Sequence, residues 1–314
     1  MTAPAPLQSV LSPAGRAADI IASLSWVMML GAGVIFVGVM GLLAWAVARR
    51  AGRQPVRTWV WVMGGGVLFP LAVLTALFTW SHSRTPGWLV PPPAGALIVS
   101  ITARMWWWEV RYHHPGGGAD ITLANELHLP LGRPVWLGLN SSDVIHSFWV
   151  PALAGKMDVV PGRVNHLLVE ATQAGVYRGQ CAEYCGDQHA RMALHVVAKP
   201  TVEFDRWLAA QARPAVSAAS SDLLLRGQQA FLAQRCNACH SVRGVTEGAR
   251  LGPDLTHVGS RLYLGAGTLR NQPGAMADWV AHIQALKPGA RMPASQDMDP
   301  ATLHALGAWL EHLQ

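Results

Sequence analysis

The sequence predicts a membrane-anchored multidomain protein: a two-helix transmembrane hairpin, an all-β sandwich and an all-α C-terminal domain. Three observations predict it. Two long apolar runs lie near the N-terminus, with no Asp or Glu between Ile20 and Trp108. Short strand-like runs broken by Gly and Pro follow, as far as Pro200. From about Asp222 the pattern becomes helical. The boundaries read as an N-terminal outer segment over 1–19, the hairpin over 20–80 and a linker over 81–96. The sandwich takes 97–200, a helix and linker 201–221, and the terminal domain 222–314.

Composition separates the lipid-facing part from the soluble part. Hydrophobic residues make up 51% and charged residues 13%, against roughly 25% charged in an ordinary soluble protein. Seventeen of the eighteen acidic residues lie after Trp108, so the deficit belongs to the front of the chain. The formal charge of +6 is mostly Arg, and no lysine-rich stripe points to nucleic acid.

Ile20 to Val47 and Thr58 to Trp80 each exceed the roughly 20 residues a helix needs to cross a bilayer. The length of the first run and the presence of a second argue against a cleaved signal peptide. The loop from Ala48 to Arg57 carries Arg49, Arg50, Arg53 and Arg57. Positive charge stays on the cytoplasmic side, which predicts a hairpin with both ends outside. Trp59, Trp61 and Trp80 suit the membrane interfaces. Pro86 to Gly95, with three consecutive prolines, reads as a stiff connector.

Beyond it, Leu97–Ile101, Pro134–Leu139, Asn165–Val169 and Ala193–Val197 alternate with turns, which suggests a compact β-sandwich. Glu203 to Gln211 predicts a short helix and Pro214 to Ser221 a small-residue linker. Asp222 to Phe231 opens the last domain and Thr302 to Leu313 closes it.

The four cysteines form two close pairs, Cys181 with Cys185 and Cys236 with Cys239, each followed by a histidine. Disulfides are the ordinary expectation in an exported domain, but both spacings resemble ligand spacings. Gly179 to Met192 reads G-Q-C-A-E-Y-C-G-D-Q-H-A-R-M. Thiolate, imidazole and thioether together select copper over harder metals. A structural zinc has no use for Met192. With one local histidine, His189, the loop needs a further nitrogen, and the segment Asn140 to Pro151 offers His146.

These two segments resemble the copper signatures of cytochrome c oxidase subunit II, whose copper domain is a cupredoxin-like sandwich behind a two-helix hairpin. The resemblance implies two copper ions bridged by Cys181 and Cys185, each taking one histidine, His146 or His189. Met192 and the backbone carbonyl of Glu183 complete the implied set. It also implies a magnesium ion bound by the Glu183 side chain at the boundary with subunit I, where a carboxylate suits a hard cation. Arg104 to Tyr112 contains three consecutive tryptophans. Such a run suits an interfacial belt, while the family has a similar stretch in which one tryptophan admits electrons. Trp106 is the best match, with the register open across Trp106 to Trp108. His113, His114, His128, His166, His195 and Met157 are expected in surface or core roles.

Cys236-Asn237-Ala238-Cys239-His240 is the covalent haem c attachment pattern. Its flanks, Gly252-Pro253-Asp254-Leu255 and Lys287 to Pro293, resemble a class I cytochrome c. That resemblance implies thioether bonds at Cys236 and Cys239, His240 and Met292 as axial iron ligands, and the Pro253 carbonyl as a partner orienting His240. A Met ligand raises the reduction potential relative to two histidines. Met276 and Met298 are rivals; His257, His282, His304 and His312 are not expected to be ligands.

Together the two resemblances match oxidases of the caa type, which fuse haem c to subunit II. They imply a bacterial inner-membrane protein with its soluble domains on the periplasmic face. The implied partners are oxidase subunit I, subunit III and a donor such as a cytochrome c or a bc-type complex. They also imply that oxygen is reduced in the partner subunit, as part of a proton-translocating complex. A copper-containing nitric oxide reductase subunit and a stand-alone electron-transfer protein are the rival functions. Many members of the family carry a glutamate near the start of the second span; here no acid lies there, so that role does not transfer. The terminal domain is nearly neutral, with seven acids against eight Lys/Arg from Asp222 to Gln314. This predicts apolar rather than ionic docking of its haem edge near Trp106.

Overall fold

A computed structural model describes residues 6–49, 57–85, 91–113, 119–215, 221–295 and 297–314. The loop arginines Arg50 and Arg53, His114, and most of the small-residue linker lie outside the described residues. The chain divides into two compact units, residues 19–91 and the remainder.

The first unit holds the hairpin. Helix α1 spans Arg16–Ala48 and helix α2 spans Thr58–Arg84. Both are long and apolar enough to cross a bilayer, and their most apolar windows bury nothing against protein. Within α2 the turns widen to π-helical geometry over Trp61–Leu68. That stretch contains Gly64, Gly65 and Gly66 and ends just before Pro70, which lacks the N–H that an α-helical turn needs.

In the second unit, β1 (Leu97–Arg104), β2 (Trp107–Tyr112), β3 (Ile121–Ala124), β4 (Glu126–Pro130) and β5 (Val135–Ser141) come first. β6 (His146–Trp149), β7 (Met157–Val159), β8 (Asn165–Val169), β9 (Gly175–Cys181) and β10 (Ala193–Lys199) follow. They form two five-stranded sheets, ordered β3-β2-β1-β5-β8 and β4-β10-β9-β6-β7. Alternate residues of β1 and β5 point inward, so Val99, Ile101, Leu137 and Leu139 meet Phe148, Leu194 and Val196 in the core. The segment before α1, which carries no strand pattern, is bound to this sandwich. Leu7 bridges Tyr177, and Gly15 bridges Ala171. A Cβ on Gly15 would collide with the backbone of Leu153.

Helix α3 (Thr201–Gln211) follows β10 and seats Phe204 and Trp207 on Tyr112. The terminal domain comprises α4 (Asp222–Ala233), a two-residue ladder of β11 (Tyr263–Leu264) with β12 (Leu269–Arg270), α5 (Ala275–Leu286) and α6 (Pro300–His312). Ser221 caps α4 by accepting from Leu224 N–H, and Asp299 caps α6 by accepting from Thr302 N–H. Pro300 takes the first position of α6, where its missing N–H costs nothing. The two helices cross closely because Gly227 has no side chain: a Cβ there would strike Ala305 and Trp309. Phe231 and Trp309 fill the space beside the crossing, ring centres 5.1 Å apart.

Candidate functional site

Strand geometry brings the first set of donors together. β9 ends at Cys181, and its pairing with β6 sets Phe148 opposite Cys181, so His146 at the start of β6 lies close by. The chain after Cys181 loops out and returns through a 3-10 turn over His189–Arg191. Cys181 N–H donates to Met192 carbonyl at 2.9 Å, closing the loop on itself.

Inside this loop the Cys181 Sγ lies 3.8 Å from His146 Nδ1 and 3.1 Å from the Glu183 carbonyl. The Cys185 Sγ lies 3.6 Å from His189 Nδ1 and 3.9 Å from Met192 Sδ. Two thiols, two imidazoles, one thioether and one carbonyl thus face one another, and the thiols, His146 and Met192 are buried. The donor set is soft and carries two thiols, which suits copper. Contact with Cys185 draws the Cys181 thiol down, while the same contact and burial push Cys185 up. Burial lowers the His146 pKa, but Cys181 and Asp143 outweigh it and leave the imidazole above its ordinary value.

Asp143 holds this geometry. His146 Nε2–H donates to Asp143 Oδ1 at 2.8 Å, which leaves Nδ1 facing the thiol. The same carboxylate accepts from Val144 N–H at 2.8 Å and from Met105 N–H at 2.7 Å, tying the loop to the β1–β2 turn. These bonds overcome burial and hold the Asp143 carboxyl below its usual range.

The three tryptophans go to three environments. Trp108 is fully buried and packs edge-on against Phe148 and His146, at 5.6 and 6.2 Å. Trp107 turns away, with the Arg104 guanidinium 5.6 Å from its ring centre. Trp106 reaches the thiol loop, its indole N–H donating to the Cys185 carbonyl at 2.8 Å.

On the opposite side of Trp106, the terminal domain encloses a cavity of about 290 Å³, lined by Cys236, Cys239, His240, Met276 and Met292. His240 Nδ1–H donates to the Pro253 carbonyl at 2.7 Å, fixing the tautomer and aiming Nε2 into the space. Gly252 permits this, because a Cβ there would sit 2.6 Å from the His240 ring. Gln284 Nε2–H donates to the Ala290 and Met292 carbonyls, both at 2.8 Å, and so shapes the Met292 loop. Arg104 and Arg261 also line the cavity, and the buried Nε of each has no hydrogen-bond partner. Arg104 also pairs with Glu109 and Arg261 with the Asp254 carbonyl, so each brings one free N–H to a mostly apolar cleft, which fits a haem and its carboxylates. Met298 packs against the domain core but is not among the residues lining the cavity.

The cavity is walled partly by the sandwich, through Arg104, Trp106, Trp107 and Asp143. Around it the two domains are bonded. Leu262 N–H donates to Glu126 Oε2 at 2.9 Å, Ala193 N–H to the Ala266 carbonyl at 3.0 Å, and His195 stacks on Tyr263 at 4.1 Å. Lys287, only 4% exposed, donates to the carbonyls of Trp106, Arg191 and Gly265 at 2.8, 3.0 and 2.9 Å. Burial draws the Lys287 pKa down to about 7, with Arg191 adding to the fall. Among the described residues no salt bridge joins the two domains, although Arg261 and Glu126 attract each other across the contact. The contact is nevertheless more polar than expected, because charged side chains bind backbone carbonyls and N–H groups across it.

The predicted residues therefore gather in two neighbouring sites: His146, Cys181, Glu183, Cys185, His189 and Met192 in one, and Cys236, Cys239, His240, Pro253 and Met292 in the other. The Glu183 side chain is exposed while its carbonyl turns inward. Asp143 orients His146, while Arg191, Glu126 and Lys287 bond across the domain contact, roles that ligand spacing does not mark. The other described histidines of the sandwich occupy ordinary places. His166 stacks on Trp136, His113 bonds Ser100 and Asp120, and His128 is buried against Glu126 and Trp207.

Residues 114–199 match the family described as cytochrome c oxidase subunit II, periplasmic domain, and residues 224–314 match cytochrome c. Cytochrome c oxidase subunit 2 of Alkalihalophilus pseudofirmus is 39% identical over 193 residues, covering 62% of this chain and 55% of that protein. The same-named protein of Bacillus subtilis is 30% identical over 204 residues, covering 62% and 57%. The chain thus spans about half the length of the curated relatives it matches. The crystal structure of the periplasmic domain of subunit II of cytochrome oxidase from Bradyrhizobium japonicum is 28% identical, covering 38% of this chain and 96% of that one, with a TM-score of 0.35.

Proposed function

We propose that this chain, which matches the subunit II periplasmic domain over 114–199 and cytochrome c over 224–314, is the electron-accepting subunit of a terminal haem–copper oxidase. In this role it takes electrons from a donor cytochrome or bc-type complex and delivers them, through haem c and a dinuclear copper centre, to the oxygen-reducing subunit I. Haem c and copper, when bound, supply one-electron chemistry with little change in the surrounding protein.

The chain's residues supply the rest. Cys181, Cys185, His146, His189, Met192 and the Glu183 carbonyl would hold the copper. Cys236, Cys239, His240 and Met292, which line the cavity, would hold the haem. Trp106 lines the haem cavity and bonds the Cys185 carbonyl, so it lies between the two sites. Glu183, exposed beside the copper nest, is the proposed magnesium contact toward subunit I. The two apolar helices anchor the chain in the inner membrane, soluble domains outside, where subunits I and III would pack. Oxygen reduction and proton translocation belong to those partners.

The observation that carries this proposal is the nest of four further donors around two buried thiols. Metal analysis with visible and near-infrared spectra of the purified chain tests it. Wild type should hold two coppers and one covalent haem, and Cys185→Ser should fall below two coppers and lose the mixed-valence bands. Two coppers with an unchanged spectrum in that variant would overturn the copper assignment.

A further inference from the structure

The two ligand-bearing loops are bonded to each other in both directions. Arg191, in the turn before Met192, sends Nη1–H to the Leu286 carbonyl at 2.7 Å, at the C-terminal end of α5. Lys287, the next residue, sends its ammonium back to the Arg191 carbonyl at 3.0 Å. The other two N–H bonds of that ammonium reach Trp106 carbonyl and Gly265 carbonyl. An ammonium has three donors, and here each has an acceptor. Two of the acceptors belong to the sandwich and one to the β11–β12 turn, so one nitrogen joins both domains. Arg191 also places its charge where carbonyls end a helix, which favours a cation. The segment that Lys287 begins runs through Gly289, which lies against Trp106 and Asp187, to Met292.

We propose that Arg191 and Lys287 form an interdomain latch: positioning residues that hold the haem-bearing domain on Trp106 and the thiol loop, so that electron transfer between the two centres occurs within one fixed arrangement. The inference rests on the proposed electron-transfer role. Neither side chain touches a reacting group; both act through backbone carbonyls. A surface charge pair would be screened and loosely held, whereas a buried ammonium with three carbonyls has no alternative partner. Its removal strands those carbonyls and frees the domain to shift.

The test uses the full-length chain in detergent, loaded with copper and covalent haem, at about pH 6 so that the Lys287 ammonium predominates. A flash-generated photoreductant delivers one electron, and its redistribution between haem and copper is followed in the visible and near-infrared bands. One centre is oxidised as the other is reduced, so the two signals must mirror each other. Wild type should re-equilibrate in a single phase that is insensitive to added glycerol.

Lys287→Met should slow this step by about tenfold or more, the usual scale for losing hydrogen bonds to a charged group. The step should also become multiphasic and viscosity-dependent, with both midpoint potentials unchanged. A merely structural loss would lower haem or copper content without conferring viscosity dependence. Arg191→Met removes only the reverse bond and should give the same signature more weakly, so the idea remains testable if Lys287→Met does not fold. Combined, the two changes should cost less than the product of their separate effects. A wild-type rate in a single, glycerol-insensitive phase in either cofactor-replete variant would overturn the latch. Wild type without copper or without mirrored signals would instead overturn the proposed function.

Discussion

Acidification should weaken the attachment of the haem domain to the sandwich through one side chain, His195. It lies on β10, 3% exposed, stacked on Tyr263 of the other domain with ring planes 8° apart. Burial, aided by Arg178 and opposed by Glu126, draws its pKa to about 4 from an ordinary value of 6.5. In the unfolded chain the imidazole takes up a proton as pH falls through 6.5; in the folded chain it does not until about 4. The unfolded state therefore binds more protons in that window, so stability falls as pH is lowered and levels off below it. Linkage gives about 2 kcal/mol lost between roughly pH 7.5 and pH 5, and about 3 kcal/mol over the whole window. Urea unfolding of the soluble domains, followed by release of tryptophan quenching, measures this. His195→Phe keeps an aromatic ring on Tyr263 but cannot titrate, so its midpoint should lose most of that pH dependence. His128, also held below its ordinary value by burial, remains in both proteins and cancels in the comparison. A variant that loses stability with acid as steeply as wild type would refute the reasoning.

Trp106→Ala removes the indole between the cavity and Cys185. It should leave the haem reducible by an external donor while slowing its oxidation, read by stopped flow at the haem band. The native internal step should respond weakly to ionic strength, because no salt bridge among the described residues joins the two domains. Met292→His should retain covalent haem but lower its potential in a redox titration; the same drop from Met276→His alone would move the ligand to α5. Gly227→Ala drives a Cβ into Ala305 and Trp309, so it should destabilise the haem domain by about 1–3 kcal/mol in chemical denaturation.

Much of the candidate site was legible in the sequence because its donor residues are close neighbours in the chain. Cys181 to Met192 and Cys236 to His240 are short enough that spacing alone limits which metal or prosthetic group they suit. The apolar spans and alternating strands were equally plain, since lipid and a sheet core each impose a local periodicity. His146 was reachable only by counting ligands and asking for one more nitrogen. The register of the tryptophans was not legible: three identical residues give no phase. Pairing of β1 with β2 decides it, burying Trp108 and leaving Trp106 in the turn beneath Cys185.

Other features depended wholly on tertiary structure. The segment before α1 reads only as an outer segment in sequence, yet Leu7 N–H donates to the Val176 carbonyl and Ala14 N–H to the Ala152 carbonyl of the sandwich. Asp143 reads as a turn acid until its carboxylate is seen to orient His146. Glu126, Arg191 and Lys287 look like ordinary charges, but each reaches a backbone group of the other domain, 136, 95 and 181 residues away in the case of Leu262, Leu286 and Trp106. The chemistry of a ligand is a property of its own side chain and so survives in one dimension. The partner of a buried charge is whatever backbone the fold brings within about 3 Å, and only the folded chain decides that.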